Sequence, residues 1–219
     1  LKLRIDRRDL RSGADAVRAV VEALGLETAI LVDLNQAWRM PGDLSAPLDR
    51  ETVGRLAEEL AELGVVWLEE PLPLADVDGL RALRAHLRTA GGEMVRTPAE
   101  LERLLDADAL DVVQPDAVLA VGLLRAAELA REAQARGKWF TPHTWTNGIG
   151  LVANLHVAAA VGAEPFVELP YDPPGWTPER RDWMLAEPLV AEDGRIEPPP
   201  GAGLGLVLDE ERLEAYRVA

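Results

Sequence analysis

The feature that most constrains the fold is a regular alternation of short apolar runs with longer segments of helical periodicity. Short apolar runs bounded by turn residues are typical of buried strands, and apolar residues at every third or fourth position indicate helices. The predicted strands cover residues 1–5, 29–33, 65–69, 91–93, 110–113, 139–141 and 166–168. Such alternation predicts parallel βαβ units.

The helical segments between these runs carry start and stop signals. The predicted helices cover residues 14–24, 50–63, 77–87, 98–105, 119–135 and 149–161. Asp76 is expected to cap the third helix, and Thr97, which precedes Pro98, is expected to cap the fourth. Gly64 and Gly137 stand where helices should end. Seven strands and six intervening helices are more than a small flavodoxin-like sheet contains. We therefore predict an α/β barrel that lacks one strand at its start; a doubly wound sheet is the alternative.

Composition limits the partners of the chain. The 219 residues carry a formal net charge of −15, which disfavours nucleic acid and anionic membranes as partners. Cysteine is absent, which excludes disulfides and thiolate metal sites and makes a cytoplasmic location the default expectation. No apolar run approaches the roughly 20 residues that a membrane-spanning helix needs.

Acidic residues end three successive predicted strands. Asp33, Glu69 and Glu93 follow one another at intervals of 36 and 24 residues. In a parallel barrel these ends meet at one rim, with neighbouring strands about 4.8 Å apart, so the three carboxylates would repel one another without a cation. Oxygen ligands of this kind suit Mg²⁺. The alternative is that each acid is only a helix cap or a loop residue.

A histidine and a further acid stand at the next strand ends. His143 directly follows the predicted strand 139–141, and Asp116 follows the neighbouring strand 110–113. A carboxylate beside an imidazole holds the ring and raises its basicity, so the pair suits general-base catalysis, although a strand-end histidine can also be purely structural. His86 and His156 lie inside helical segments, where we expect them to fill space.

In order and spacing, these motifs resemble the mandelate racemase branch of the enolase superfamily, within the mandelate racemase and muconate lactonizing enzyme family. The matching segments are Asp33-Leu34-Asn35-Gln36-Ala37-Trp38, Trp67-Leu68-Glu69-Glu70-Pro71, Gly91-Gly92-Glu93, Gln114-Pro115-Asp116 and Thr141-Pro142-His143. The resemblance implies a modified (β/α)7β TIM barrel with an N-terminal α+β capping domain. We expect residues 1–190 to form barrel strands two to eight and residues 191–219 to form a C-terminal return that packs on the capping domain; that domain and the first barrel strand are expected to be missing from this chain.

The resemblance also implies roles for individual residues. Asp33, Glu69 and Glu93 become Mg²⁺ ligands, and His143 becomes the general base or acid with Asp116 as its orienting partner. Glu168 occupies the place of a group that hydrogen-bonds the enolate side of the substrate, and Asn35 that of a substrate or metal-shell contact. Trp38, Trp145 and Trp176 lie near predicted strand-end loops and are expected to line the pocket, or else to serve plain packing.

The first strand departs from the family pattern. Lys2-Leu3-Arg4 stands where the family often has Lys-x-Lys with the second lysine as a base. Arginine stays protonated, so Arg4 is expected to neutralise the substrate carboxylate or the enediolate, with Lys2 assisting; a solvated pair on a strand is the alternative. Residues 116–122 contain no lysine, which argues against the subgroup resembling muconate lactonizing enzymes.

The sequence offers one evident strong base, His143, whereas racemisation needs a base on each face of the substrate. A single base favours removal of the proton beside a carboxylate followed by loss of a 3-hydroxyl. The expected enzyme is therefore a Mg²⁺-dependent lyase of the acid-sugar dehydratase type, which converts a sugar acid to a 2-keto-3-deoxy acid. A sugar-acid cycloisomerase needs the same residues. Racemase or epimerase chemistry with Lys2 as second base, and a non-catalytic remnant that binds a partner, are further alternatives. A homo-oligomer is expected from the resemblance alone.

Overall fold

Strands and helices alternate in the computed structural model, which describes residues 1–25, 27–38, 44–163 and 165–217. The strands are β1 (Lys2–Arg4), β2 (Leu31–Asp33), β3 (Leu68–Glu69), β4 (Thr89–Gly91), β5 (Val112–Val113) and β6 (Trp139–Phe140). The helices are α1 (Leu10–Leu24), α2 (Arg50–Glu62), α3 (Val77–Leu83), α4 (Pro98–Asp106), α5 (Leu123–Ala135), α6 (Gly148–Val161), α7 (Pro178–Arg181) and α8 (Glu210–Ala215). These elements fall into two units, Leu1–Gln114 and Pro115–Ala219.

The first unit contains a parallel sheet in which β1 to β5 are neighbours in chain order. Its register pairs Arg4 with Asp33, and Asp33 with Glu69. Parallel strands place their carboxyl ends at the same edge of the sheet, so residues that end neighbouring strands become neighbours in space. The register therefore brings two of the predicted metal ligands side by side.

The helices of the first unit begin at capping side chains, as the sequence predicts. Asp76 accepts a hydrogen bond from the Gly79 N–H at the start of α3, and Thr97 accepts one from the Glu100 N–H at the start of α4. Gly64 has a φ of 79°, which ends the turn after α2 and leads into β3. The apolar stripe of α2, with Leu56 and Leu60, is buried, and each such leucine contributes about 1.5–3 kcal/mol.

The second unit is built on α5 and α6. Its buried cluster consists of Ala117, Ala126, Ala130, Phe140 and Val157. The predicted helix 119–135 is divided: Ala117–Val121 forms a π-helical turn, and α5 begins only at Leu123. Gly122, with a φ of 78°, separates the two segments, because that backbone conformation interrupts a helix.

The C-terminal segment folds back within the second unit. The Ala186 N–H donates to the Val207 carbonyl, and the Asp209 N–H donates to the Met184 carbonyl, both at 2.9 Å. These bonds hold residues 207–209 beside residues 184–186. The predicted domain boundary after residue 190 and the packing of the segment on a capping domain stay predictions.

Two strand predictions differ from the structure: one strand is displaced along the chain and the other does not form. The strand predicted at 91–93 lies at Thr89–Gly91, because Gly92 has a φ of 115° and ends it. Residues 166–168 form no strand: the Phe166 carbonyl accepts its hydrogen bond from the Thr141 hydroxyl, at 2.6 Å, instead of from a strand N–H. Within the described residues, no helix is both long enough and apolar enough to cross a membrane.

Candidate active site

Four buried carboxylates gather at the carboxyl edge of the sheet in the first unit. Asp33 ends β2, Glu69 ends β3, Glu70 follows it, and Glu93 lies two residues beyond β4. Their exposed fractions lie between 1% and 8%. Buried carboxylates are normally paired, bound to a metal or protonated, so this concentration of acids requires either compensating positive charge or protons on some of its members.

The electrostatics of the cluster confirm that its members act on one another. Burial raises the pKa of Asp33, and the nearby charges of Glu69 and Glu93 raise it further, although Lys2 acts in the opposite direction. Burial also raises the pKa of Glu70, followed by the charges of Glu93, Asp33 and Glu69. Asp33, Glu69 and Glu93 are therefore close enough to influence one another's charge, and Glu70 with them; their role as metal ligands stays a prediction.

The two basic residues of β1 lie beside this cluster. Lys2 Nζ donates to Glu69 Oε1 at 2.6 Å, with Glu69 almost fully buried. Arg4 Nε lies 3.9 Å from Asp33 Oδ2, and about half of the Arg4 side chain is exposed. Lys2 thus contacts a predicted metal ligand, and Arg4 lies at the more open side of the same edge.

Unsatisfied polar atoms concentrate in this region. Among the described residues, five buried side-chain atoms lack a hydrogen-bond partner: Asn35 Nδ2, Glu70 Oε1 and Oε2, Gln114 Oε1 and Trp176 Nε1. Four of these five belong to residues at the carboxyl ends of β2, β3 and β5. Such groups are costly and rare, so this edge of the sheet is a candidate for a ligand-binding site.

These residues fit a divalent cation by the chemistry of their donors. In the described part of the chain, however, no group of three or more His, Cys, Asp or Glu side chains is arranged so that it could hold a metal ion. The buried carboxylate oxygens and their mutual repulsion are nevertheless of the chemical type that Mg²⁺ prefers.

The predicted substrate contact Asn35 has a defined position in the same unit. Its backbone N–H donates to Asp33 Oδ1 at 2.8 Å, and its φ of 48° turns the chain away from β2. Its Oδ1 accepts from Trp38 Nε1 at 3.1 Å, which leaves the buried Nδ2 as the unsatisfied donor. Trp38 therefore orients Asn35.

The second unit contains the predicted histidine–aspartate pair. His143 Nδ1 lies 3.1 Å from Asp116 Oδ2, and the Asp116 side chain is fully buried. Burial raises the pKa of Asp116, but hydrogen bonds from His143, Asn154 and the Val118 N–H outweigh it, so the pKa lies below its ordinary value. Because an ionised carboxylate only accepts, Nδ1 carries the proton and Nε2 is the basic nitrogen of the neutral ring.

Asn154 completes this arrangement and was missed by sequence reasoning. Its Nδ2 donates to Asp116 Oδ1 at 3.0 Å, and its Oδ1 accepts from the Ala117 N–H at 2.8 Å. The signal was an asparagine in the middle of an otherwise apolar helix, α6, where a polar side chain needs a buried partner. The π-helical turn after Asp116 contributes two more donors, the N–H groups of Val118 and Leu119.

Glu168 and the tryptophans have local partners in the second unit. Glu168 Oε2 accepts from the Thr144 N–H at 2.8 Å, and the Thr144 hydroxyl donates to the Glu168 carbonyl at 2.5 Å. Glu168 is thus tied to the residue after His143, although not by a strand. Trp145 stacks on Trp176, with ring centroids 6.4 Å apart.

The other two histidines have the structural surroundings expected of them. His86 Nδ1 lies 3.1 Å from Glu58 Oε1 on the surface, and His156 Nε2 lies 3.2 Å from the Leu204 carbonyl. Neither belongs to the acidic cluster or to the His143–Asp116 pair.

The fold and these residues define a class of protein that comparison with known families confirms. Residues 1–212 match the family described as Enolase C-terminal domain-like, and the chain belongs to this family of the enolase superfamily. The predicted fold class, a parallel α/β fold of the TIM-barrel type, is confirmed by this match.

Similar proteins include sugar-acid dehydratases and cycloisomerases. The chain is 31% identical to the L-talarate/galactarate dehydratase of Salmonella typhimurium over 216 residues, which are 96% of this chain and 48% of that protein. It is 28% identical to the D-galactarolactone cycloisomerase of Agrobacterium fabrum over 92% of this chain and 52% of that one. The chain spans about half the length of the curated relatives that it matches.

A solved structure places Mg²⁺ in a similar protein. The L-talarate dehydratase of Polaromonas sp. JS666, complexed with Mg and L-glucarate, has a TM-score of 0.80 and 30% identity. The match covers 98% of this chain and 54% of that chain.

Proposed function

We propose that the chain carries the catalytic residues for Mg²⁺-dependent removal of the proton beside a carboxylate, and that the reaction is dehydration of a sugar acid to a 2-keto-3-deoxy acid. The observation that supports this most strongly is the buried acidic cluster of the first unit, with its unsatisfied oxygens. A cluster of this kind is costly to a fold unless it serves a ligand.

Asp33, Glu69 and Glu93 are the proposed metal ligands. Bound there, Mg²⁺ would stabilise the negative charge that develops on the substrate carboxylate when the neighbouring proton leaves. Lys2, beside Glu69, and Arg4, beside Asp33, supply further positive charge. Arg4 is the more exposed of the two, and we assign it to the substrate carboxylate.

His143 is the proposed base. Its hydrogen bond to Asp116 keeps the proton on Nδ1 and the lone pair on Nε2, and it stabilises the imidazolium that forms when Nε2 takes the α-proton. General-base catalysis contributes about 10²–10⁴-fold to a rate. Glu168 is assigned to the enolate side of the substrate, and Asn35, Trp38 and Trp145 are assigned to substrate contacts.

Electrons and protons balance in this elimination when His143 carries the proton. The electrons of the broken C–H bond form the enediolate, then the C2–C3 double bond, and the 3-hydroxyl leaves as water with the proton that His143 has taken. The resulting enol tautomerises to the 2-keto-3-deoxy acid. The dehydratases among the similar proteins support this reaction.

A sugar-acid cycloisomerase is the second candidate, because similar proteins from Agrobacterium fabrum and Streptomyces coelicolor bear that activity in their names. In that reaction the enediolate expels a ring oxygen instead of water. The proposed base and metal ligands would be the same.

The test is a screen of aldonic acids, aldaric acids and their lactones with the full chain and Mg²⁺. A 2-keto-3-deoxy product from an open-chain acid supports the dehydratase, and turnover of lactones alone supports the cycloisomerase. His143→Asn should abolish turnover and also exchange of the α-proton with deuterated water. Exchange that persists in His143→Asn would remove His143 from the role of base.

We further propose that the substrate is a small sugar acid and that the protein acts in the cytoplasm as a homo-oligomer, without nucleic acid or membrane partners. Size-exclusion chromatography with light scattering tests the oligomeric state. A monomer would contradict that part of the proposal.

A further inference from the structure

Gln114 follows β5, and only one of the two polar atoms of its side-chain amide is hydrogen-bonded to a described residue. Its Nε2 donates to Glu69 Oε2 at 3.0 Å. Because a carboxylate only accepts, this bond fixes which amide atom faces Glu69. Oε1 therefore points elsewhere, and there it is buried without a hydrogen-bond partner among the described residues.

A second buried glutamine of the same unit behaves differently. Gln36 donates from Nε2 to the Pro71 carbonyl and accepts at Oε1 from the Leu48 N–H. Both ends of Gln36 are satisfied within the fold, as expected of a structural amide. In the part of the chain that the structure describes, only Nε2 of Gln114 is hydrogen-bonded, to Glu69. The Gln114 Oε1 has no donor among the described residues.

Among the described residues, Gln114 is one of three donors to the Glu69 carboxylate. Lys2 Nζ binds Oε1 at 2.6 Å, while Gln114 Nε2 and Trp67 Nε1, at 3.4 Å, both approach Oε2. These donors come from β1, from the end of β5 and from the residue before β3. Hydrogen bonds of this kind orient the ligands of metal sites and tune their affinity.

We propose that Gln114 is a positioning residue that orients Glu69 toward a divalent cation, and that its amide oxygen accepts a hydrogen bond from the hydration shell of that ion. The inference rests on the proposed function, because it takes Glu69 as a metal ligand. It predicts a selective effect on ion binding. Mg²⁺ demands a strict octahedron and keeps its waters, whereas Ca²⁺ tolerates irregular shells and more protein oxygens.

The experiment is a calorimetric titration of the full chain with Mg²⁺ alone and with Ca²⁺ alone. Gln114→Met, which has similar volume but neither donor nor acceptor, should lose about 10–100-fold in Mg²⁺ affinity and clearly less in Ca²⁺ affinity. Gln114→Asn, which keeps an amide but is one methylene shorter, should show the same selective loss and serves if the first variant fails to fold. Gln134→Met on α5 is the matched control and should change neither affinity.

The outcomes separate this inference from the proposed function. Unchanged Mg²⁺ affinity in folded Gln114 variants, or equal losses for both ions, would overturn the positioning role and leave the proposed function standing. A wild-type chain that binds no Mg²⁺ would overturn the proposed function, and this inference with it.

Discussion

The acidic cluster and the His143–Asp116 pair differ in how completely the fold satisfies them. Asp116 accepts from His143, Asn154 and two backbone N–H groups of the second unit. In the first unit, the amide oxygen of Gln114 and the amide nitrogen of Asn35 are buried without hydrogen-bond partners among the described residues. The Asp116 carboxylate is thus fully hydrogen-bonded within the second unit, whereas the first unit keeps buried polar atoms that the proposed ligand would satisfy.

The largest effect should follow from Asp116→Asn. Oδ1 accepts from Asn154 and the Val118 N–H, so it must remain an oxygen, and the new amide nitrogen must take the place of Oδ2. That nitrogen would donate toward His143 Nδ1, which forces the proton onto Nε2 and removes the base. We expect kcat to fall by about 10³–10⁴-fold with unchanged Mg²⁺ affinity, measured by steady-state kinetics and calorimetry.

Asp182 supplies the control for this substitution. It is a buried aspartate of the same unit, bound to Arg181 at 2.7 Å. Asp182→Asn should lower stability without a comparable loss of kcat. Equal losses of kcat in both variants would contradict a role for Asp116 in proton transfer, because loss of folding alone would then explain the effect of Asp116→Asn.

A smaller effect is expected from Asn154→Ala. The substitution removes the donor to Asp116 Oδ1 and the acceptor for the Ala117 N–H, so Asp116 loses one of the bonds that lower its pKa. We expect kcat to fall by about 10–100-fold and the pH–rate profile to shift. Asn147→Ala, which removes the cap of α6, should cost about 1 kcal/mol of stability with no shift of the profile; a shift there too would contradict the role of Asn154.

The acidic cluster should make the metal-free chain less stable as pH rises. The pKa values of Asp33 and Glu70 are raised in the folded chain, mainly by burial, above the ordinary values of 3.8 and 4.5. The folded state therefore holds protons that the unfolded state has released, so this stability is full in acid and is lost as pH rises through the folded pKa values.

Thermal unfolding with a chelator present checks this expectation. We expect Tm to fall by about 2–5 °C between about pH 5 and about pH 9, and Mg²⁺ or Glu70→Gln to flatten the decline. A Tm that rises across that range would contradict the mutual repulsion of the cluster.

The smallest effect should follow from Thr144→Val. The substitution removes the hydroxyl bond to the Glu168 carbonyl, whereas the backbone N–H bond to Glu168 Oε2 remains. We expect a loss of about 1 kcal/mol in stability and less than about a tenfold change in kcat/KM. A loss of kcat/KM as large as that of Asp116→Asn would contradict a supporting role for Thr144.

Local sequence signals predicted most of the fold and part of the site. The caps Asp76 and Thr97, the register neighbours Asp33 and Glu69, and the His143–Asp116 contact all follow from short patterns at strand and helix ends. Such patterns depend on a few neighbouring residues, and a single sequence displays them directly.

The features that sequence missed depend on contacts between distant residues. Asn154 reaches Asp116 across 38 positions, and Gln114 reaches Glu69 across 45. Residues 166–168 looked like a strand, but hydroxyls of Thr141 and Thr144 satisfy their carbonyls instead of a strand ladder. Side-chain bonds of this kind leave no periodic trace in the sequence.

We propose that the acidic cluster of the first unit binds one divalent ion, and anomalous diffraction from crystals soaked in Mn²⁺ would locate that ion. We expect a single strong peak bonded to oxygens of Asp33, Glu69 and Glu93, and we expect this peak to disappear in Glu69→Gln. If saturating Mn²⁺ gave no peak among these residues and their side chains did not move, the proposed metal site would be contradicted.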